Sequence, residues 1–198
     1  MTKVVDYYFT PISPWTYLGH QRFEAIARRH GAEIRYKPVD YFKVFPASGG
    51  LPLAKRAPQR QHYRNFELER WRKFLNVELN MKPKHFPTAD ALAAKLILAC
   101  GESGASPGNL AGALMRAVWA EERDIADRAT LMEIAGRCKL DGAKLLALAE
   151  TPGINALFEK LTDEAILRQV FGAPTYIYRE EPFWGQDRLD FLDRALAG

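Results

Sequence analysis

Apolar positions open the chain as a block. Val4-Val5-Asp6-Tyr7-Tyr8-Phe9 is β-branched and aromatic, the composition of a buried strand. Tyr17, Leu18, Phe23 and Ile26 then recur every three to four residues, which predicts an amphipathic helix. Ala32 to Val39 alternates apolar and polar positions, as a half-exposed strand does. From Tyr41 to Pro58 the pattern breaks into a stretch rich in Gly, Pro and aromatics, expected as a loop that could serve as lid or substrate wall. Helical periodicity follows in six segments: Gln59 to Leu75, Thr88 to Cys100, Pro107 to Glu122, Asp127 to Cys138, Asp141 to Glu150 and Thr151 to Arg168. Thr88, Asp127, Asp141 and Thr151 are expected as their caps. β character returns in Gly172 to Tyr178, with a turn at Arg179-Glu180-Glu181, a short strand Pro182-Phe183-Trp184 and a last helix from Arg188 to Ala197. The two β-containing ends must meet, because neither alone has enough strands to be stable. The fold class expected is therefore α/β, one domain split by a large all-helical insertion.

Composition narrows the function. With 198 residues, 47% hydrophobic and 26% charged, the chain is an ordinary globular protein, and it holds no run approaching the ~18 apolar residues of a membrane span. The N-terminus lacks the basic-then-apolar pattern of a leader, so a cytoplasmic location is expected. Cys100 and Cys138 fit no C-x-x-C pair, disulfide framework or zinc spacing, and are expected as core thiols. His20, His30, His62 and His85 are scattered, expected at the surface or in caps, and no metal site is expected. The net charge of +4 is too mild for nucleic-acid binding. Lys55-Arg56, Arg60, Arg64 and Arg70-Trp71-Arg72-Lys73, interleaved with Glu67 and Glu69, form either a solvated helix face or a basic rim that attracts a small carboxylate substrate.

The chemistry concentrates in Phe9-Thr10-Pro11-Ile12-Ser13-Pro14-Trp15-Thr16-Tyr17-Leu18. Ser13 followed by Pro14 is a helix start: a hydroxyl that accepts from an orphan N–H, then a residue with preset φ. A strand feeding a helix N-terminus gathers unpaired N–H groups and the positive end of the helix dipole at one point. Anions bind there, and a thiolate is an anion. Ser13 is either a plain cap or the residue that holds the sulfur of a bound thiol cofactor.

The whole pattern resembles a thioredoxin fold interrupted by helices, with Ser13-Pro14-Trp15-Thr16 where C-x-x-C stands in its disulfide-exchanging members. Without sulfur at either end, dithiol–disulfide exchange is excluded at that site. Asp6-Tyr7-Tyr8-Phe9 with Ser13 to Gly19, Phe171-Gly172-Ala173-Pro174-Thr175, and Phe183-Trp184-Gly185-Gln186-Asp187-Arg188-Leu189 resemble the 2-hydroxychromene-2-carboxylate isomerases and kappa-class glutathione transferases. Gly49-Gly50-Leu51-Pro52-Leu53-Ala54-Lys55-Arg56 and Glu69-Arg70-Trp71 are closer to the isomerases.

That resemblance implies a DsbA-like thioredoxin domain from residues 1–45 and 169–198, and an insertion over 46–168. It implies glutathione as cofactor, with its sulfur at Ser13, its backbone on Ala173 before a cis Pro174, and its γ-glutamyl end at Gln186 and Asp187. Pro14 belongs to the same cofactor site and Ser13 is the catalytic residue. The implied reaction interconverts a 2-hydroxychromene-2-carboxylate hemiketal and a trans-o-hydroxybenzylidenepyruvate, a step in breakdown of aromatic hydrocarbons. The substrate residues expected are Trp15, Phe45, Gly49, Gly50, Lys55, Arg56 and Trp184, and a homodimer is implied. Kappa relatives carry Asn where this chain has Gly50, which removes a ligand contact. A glutathione-consuming transferase or peroxidase and a catalytically idle binding module stand as alternatives.

Overall fold

The computed structural model describes residues 2–198. Its sheet has four strands in the order β2-β1-β3-β4. β1 (Val4–Phe9) runs parallel to β2 (Glu33–Pro38), with Tyr7 opposite Tyr36. The crossover between them is α1 (Pro14–Arg29), so residues 4–38 form one βαβ unit. β3 (Thr175–Tyr178) and β4 (Glu181–Trp184) come from the other end of the sequence. β3 adds antiparallel to β1, with Tyr7 opposite Tyr176, and β4 adds to β3. The β3–β4 turn places Arg179 and Glu180 both at positive φ, the geometry that matches the twist of a two-residue hairpin.

β1 is therefore interior, and Val5, Tyr7, Tyr8 and Phe9 have no exposed surface. Its block-like apolar pattern, without clean alternation, follows from burial on both faces. On one face Tyr7 stacks on Tyr176 (5.2 Å between ring centroids) and meets Phe23 of α1 (4.8 Å). On the other, Tyr8 reaches Glu164. α9 (Leu189–Ala197) closes the C-terminus with Leu189, Leu192 and Leu196 buried.

Between the halves of the sheet lie α2 (Tyr41–Ser48), α3 (Pro58–Phe74), α4 (Ala91–Glu102), α5 (Gly108–Trp119), α6 (Arg128–Arg137), α7 (Gly142–Ala149) and α8 (Pro152–Leu167). α4 and α8 pack on β2, and α5 packs on α1. One continuous apolar cluster runs from Tyr7 and Phe23 through Leu96 and Ile97 to Leu114 and Leu146. No helix among the described residues is long and apolar enough to cross a membrane.

Three local expectations are corrected. Residues 41–48 form a helix rather than loop: Asp40 caps it by accepting from Phe42 N–H (2.8 Å), and Gly49 ends it in the left-handed region at φ 73°. Pro46 is tolerated because the carbonyl it cannot satisfy belongs to Phe42, an exposed residue. Thr88 does not cap α4, which begins at Ala91; its hydroxyl donates to Asp124 (2.6 Å). His20 is not at the surface but 2% exposed, with Nε2 donating to the Gly108 carbonyl (3.0 Å) and Nδ1 accepting from Tyr7 (3.4 Å). Burial holds its pKa below the usual imidazole value, against the pull of Glu24.

Candidate functional site

The sheet delivers both chain ends to one place. Ser13 follows β1 and, with extended backbone, caps α1: its Oγ accepts from Thr16 N–H at 3.2 Å. Pro14 is buried at the first helical position. Thr10, at the end of β1, pins the loop by donating to the carboxylate of Asp90, which burial drives above its ordinary pKa. Across the loop the Ala173–Pro174 peptide is cis, and the Ala173 carbonyl lies 3.5 Å from Ser13 Oγ. The Ala173 N–H has no acceptor among the described residues. Ser13 is 9% exposed, so its hydroxyl sits in a shallow recess bounded by a helix N-terminus and a free backbone N–H.

The turn Gln186–Arg188 sits against α1 because Gly19 has no side chain: a Cβ there would lie 2.6 Å from Gln186 Cβ. Gln186 is buried and its amide oxygen accepts from Arg22 (2.9 Å). Asp187 is exposed and accepts from Arg188 (2.8 Å). A cavity of about 490 Å³ starts here, lined by Ala173, Trp184, Gly185, Gln186, Asp187 and Arg188. Trp15 and a face of α3 complete it.

Of the residues anticipated from sequence, Trp15, Arg56, Ala173, Trp184, Gln186 and Asp187 therefore share one cavity. Ser13, Pro14 and Pro174 lie next to it, beside Trp15 and Ala173 in the chain, without lining it, and Phe45, Gly49, Gly50 and Lys55 do not line it either. Phe45 acts on it at one remove: its ring, with Gly50 against it, carries the Arg56 guanidinium at 5.9 Å from the centroid. Arg56 Nε also donates to the Leu51 carbonyl (2.8 Å). Lys55 is exposed in the 3-10 turn Leu53–Lys55.

Sequence reasoning passed over Arg60, Arg64, Glu67 and Trp71 of α3 as individual site residues. Their signal was the spacing 60, 64, 67, 71, which puts them on one helix face, and all four line the cavity. It also missed Thr10 and Asp90, whose pairing spans 80 positions and has no local signature.

The arrangement can hold an anion at Ser13 and an acidic organic molecule beside it. The cavity carries four arginines against two carboxylates and four tryptophan- or tyrosine-type walls: Trp15, Tyr63, Trp71 and Trp184.

Comparison with known proteins fits this geometry. A family model described as the DSBA-like thioredoxin domain matches residues 4–197. The chain is 32% identical to a 2-hydroxychromene-2-carboxylate isomerase of Sphingobium xenophagum, over 99% of each chain. It is 25% identical to a glutathione S-transferase kappa 2 of Caenorhabditis elegans, over 99% of this chain and 94% of that one. Among solved structures, a 2-hydroxychromene-2-carboxylate isomerase superposes with a TM-score of 0.82 at 24% identity, covering 98% of this chain and 94% of that one. The chain thus belongs to the DSBA-like thioredoxin domain family, within the group of 2-hydroxychromene-2-carboxylate isomerases related to the kappa-class glutathione transferases.

Proposed function

We propose that the protein is a glutathione-dependent isomerase of small aromatic oxo acids, acting on 2-hydroxychromene-2-carboxylate-type hemiketals and trans-o-hydroxybenzylidenepyruvates. One observation carries the reading: Ser13 stands at a helix N-terminus opposite the cis Ala173–Pro174 peptide, where no protein thiol is present. The surroundings fit the tripeptide. Ala173 offers an N–H without an acceptor, and the backbone N–H groups at the start of the Gln186 turn suit an α-carboxylate. The Asp187 carboxylate suits an α-ammonium.

When bound, glutathione would supply a thiolate able to add reversibly to the conjugated carbon, so that a double bond becomes rotatable and the thiol is recovered. The chain's own contributions are electrostatic and steric. The α1 N-terminus and the Ser13 hydroxyl favour the ionised sulfur, the hydroxyl turning from Ala173 to donate to it. Trp15 and Trp184 wall the aromatic portion, and the arginine face of α3 favours an acidic substrate. The same reading carries the expectations of a cytoplasmic homodimer and of 46–168 as an insertion unit.

Likeness to a kappa transferase supports a competing reading in which glutathione is consumed. Incubating the protein with a trans-o-hydroxybenzylidenepyruvate and limiting glutathione distinguishes the two. Isomerisation over many turnovers with total free thiol constant is the expected result. Stoichiometric loss of thiol would replace the isomerase reading with the transferase one.

A further inference from the structure

The charges facing the cavity do not balance. Arg56, Arg60, Arg64 and Arg188 meet Glu67 and Asp187 there. Both acids are already engaged, Glu67 by Arg70 and Asp187 by Arg188. Arg56 has the Leu51 carbonyl, and Arg60 is exposed to water. Arg64 is half-buried and has no hydrogen-bond acceptor among the described residues; its guanidinium lies 5.9 Å from the Phe86 ring centroid and 6.0 Å from that of Trp119. No carboxylate among the described residues lies within ion-pair distance of it, whereas Arg70, Arg72, Arg116, Arg123 and Arg128 each have one. Burial, then the nearby charge of Arg56, pushes its pKa down to about 10, so it stays charged at neutral pH. Aromatic faces compensate a partly desolvated cation only in part, and a half-buried charge without a counter-ion favours an anion beside it.

We propose that Arg64 is the carboxylate-binding residue of this cavity, its planar fork meeting both oxygens of an acidic ligand while Phe86 and Trp119 fix its plane. The identity of that ligand, though not the role of Arg64, rests on the isomerase reading. Under it the carboxylate belongs to the substrate, and the glycyl carboxylate of glutathione is the other source of the same chemistry. Arg64 thus takes the role that position alone had assigned to Lys55 and Arg56.

The test is equilibrium binding followed by tryptophan fluorescence, since Trp15, Trp71 and Trp184 line the cavity. Cinnamate, which cannot turn over, is compared with cinnamamide, and glutathione with its glycine-amidated form. Arg64→Met keeps the apolar stem and removes the charge; Arg64→Lys keeps the charge and removes the fork. Wild type should prefer at least one carboxylate over its amide by about tenfold or more. Arg64→Met should lose that preference and Arg64→Lys should keep only part of it. Loss in the cinnamate pair assigns the site to the substrate, and loss in the glutathione pair assigns it to the glycyl end. Without ligand, Arg64→Met should unfold at the same or higher urea concentration than wild type, because it relieves a surplus charge. A carboxylate preference that survives in Arg64→Met in both pairs, or an Arg64→Met protein that unfolds markedly earlier, would overturn the proposal. Wild type that binds neither form of glutathione defeats the glutathione reading, and the cinnamate pair then decides Arg64 by itself.

Discussion

Two groups of partly buried charge flank the sheet, and they are built differently. On the α8 side, Lys37 of β2 meets Asp6 of β1 at 3.0 Å and Glu164 of α8 at 2.5 Å, while Arg168 joins Asp6 and Glu180. Each cation there has two anions, and the network ties the last helix before β3 to the two N-terminal strands. On the α3 side, Arg64 is half-buried beside aromatic rings, with no anion among the described residues. A closed network serves the fold, whereas a surplus of one sign beside a cavity serves whatever carries the opposite sign. Removing a charge from the first should cost stability; removing one from the second should cost binding.

The largest expected effect breaks the closed network. Lys37→Met leaves Asp6 and Glu164 short of a cation and should destabilise the protein by about 3 kcal/mol, measured by urea unfolding, with turnover per folded molecule unchanged. On the cavity side, Ser13→Ala should lower isomerase turnover by about a hundredfold, comparable to loss of one donor aimed at developing charge, with the Michaelis constant for glutathione little changed. Its stability should fall by only about 1 kcal/mol, the worth of an N-cap. Asp187→Ala should weaken glutathione binding about tenfold in calorimetry and leave the unfolding midpoint in place, since its only ion pair among the described residues is with exposed Arg188.

Acid sharpens the contrast. Burial alone would raise the Asp6 and Glu164 carboxyls, but hydrogen bonds from Lys37, joined by Arg168 at Asp6 and Tyr8 at Glu164, outweigh it and hold both below their ordinary values. Carboxyls with lowered folded pKa values stabilise the protein above the unfolded value, and that stability is lost as pH falls below about 4. Unfolding followed at decreasing pH should show this loss in wild type and Arg64→Met, and a flattened response in Lys37→Met. The smallest effect concerns Thr16, whose fully buried hydroxyl has no partner among the described residues. Thr16→Val should raise stability by about 0.5–1 kcal/mol in the same urea assay.

Much of the fold was legible because its signals are local. Asp127, Asp141 and Thr151 cap α6, α7 and α8 by accepting from Thr130, Lys144 and Ile154 N–H, as their positions before apolar periodicities indicate. Ser13-Pro14 likewise marked the start of α1. α2 was hidden because Pro46 and Gly49 read as loop residues, although Asp40 before it and Gly49 after it are a cap pair. Where the determinant is long-range, pattern fails. His20 is buried by Gly108, 88 residues away, and Thr88 is drawn to Asp124 instead of its own helix. The α3 arginines show the same limit at the site: their common face follows from spacing, but that Arg64 is half-buried and Arg60 exposed depends on Phe86 and Trp119, which only the fold brings there.

The measurement that bears most directly on the account is the ionisation of glutathione bound to the protein, followed by its ultraviolet thiolate band as pH is raised. Wild type should titrate the bound thiol well below the ordinary cysteine value of about 8.5, and Ser13→Ala should shift it back toward that value. A bound thiol that ionises as it does in free solution, equally with and without the Ser13 hydroxyl, would contradict it.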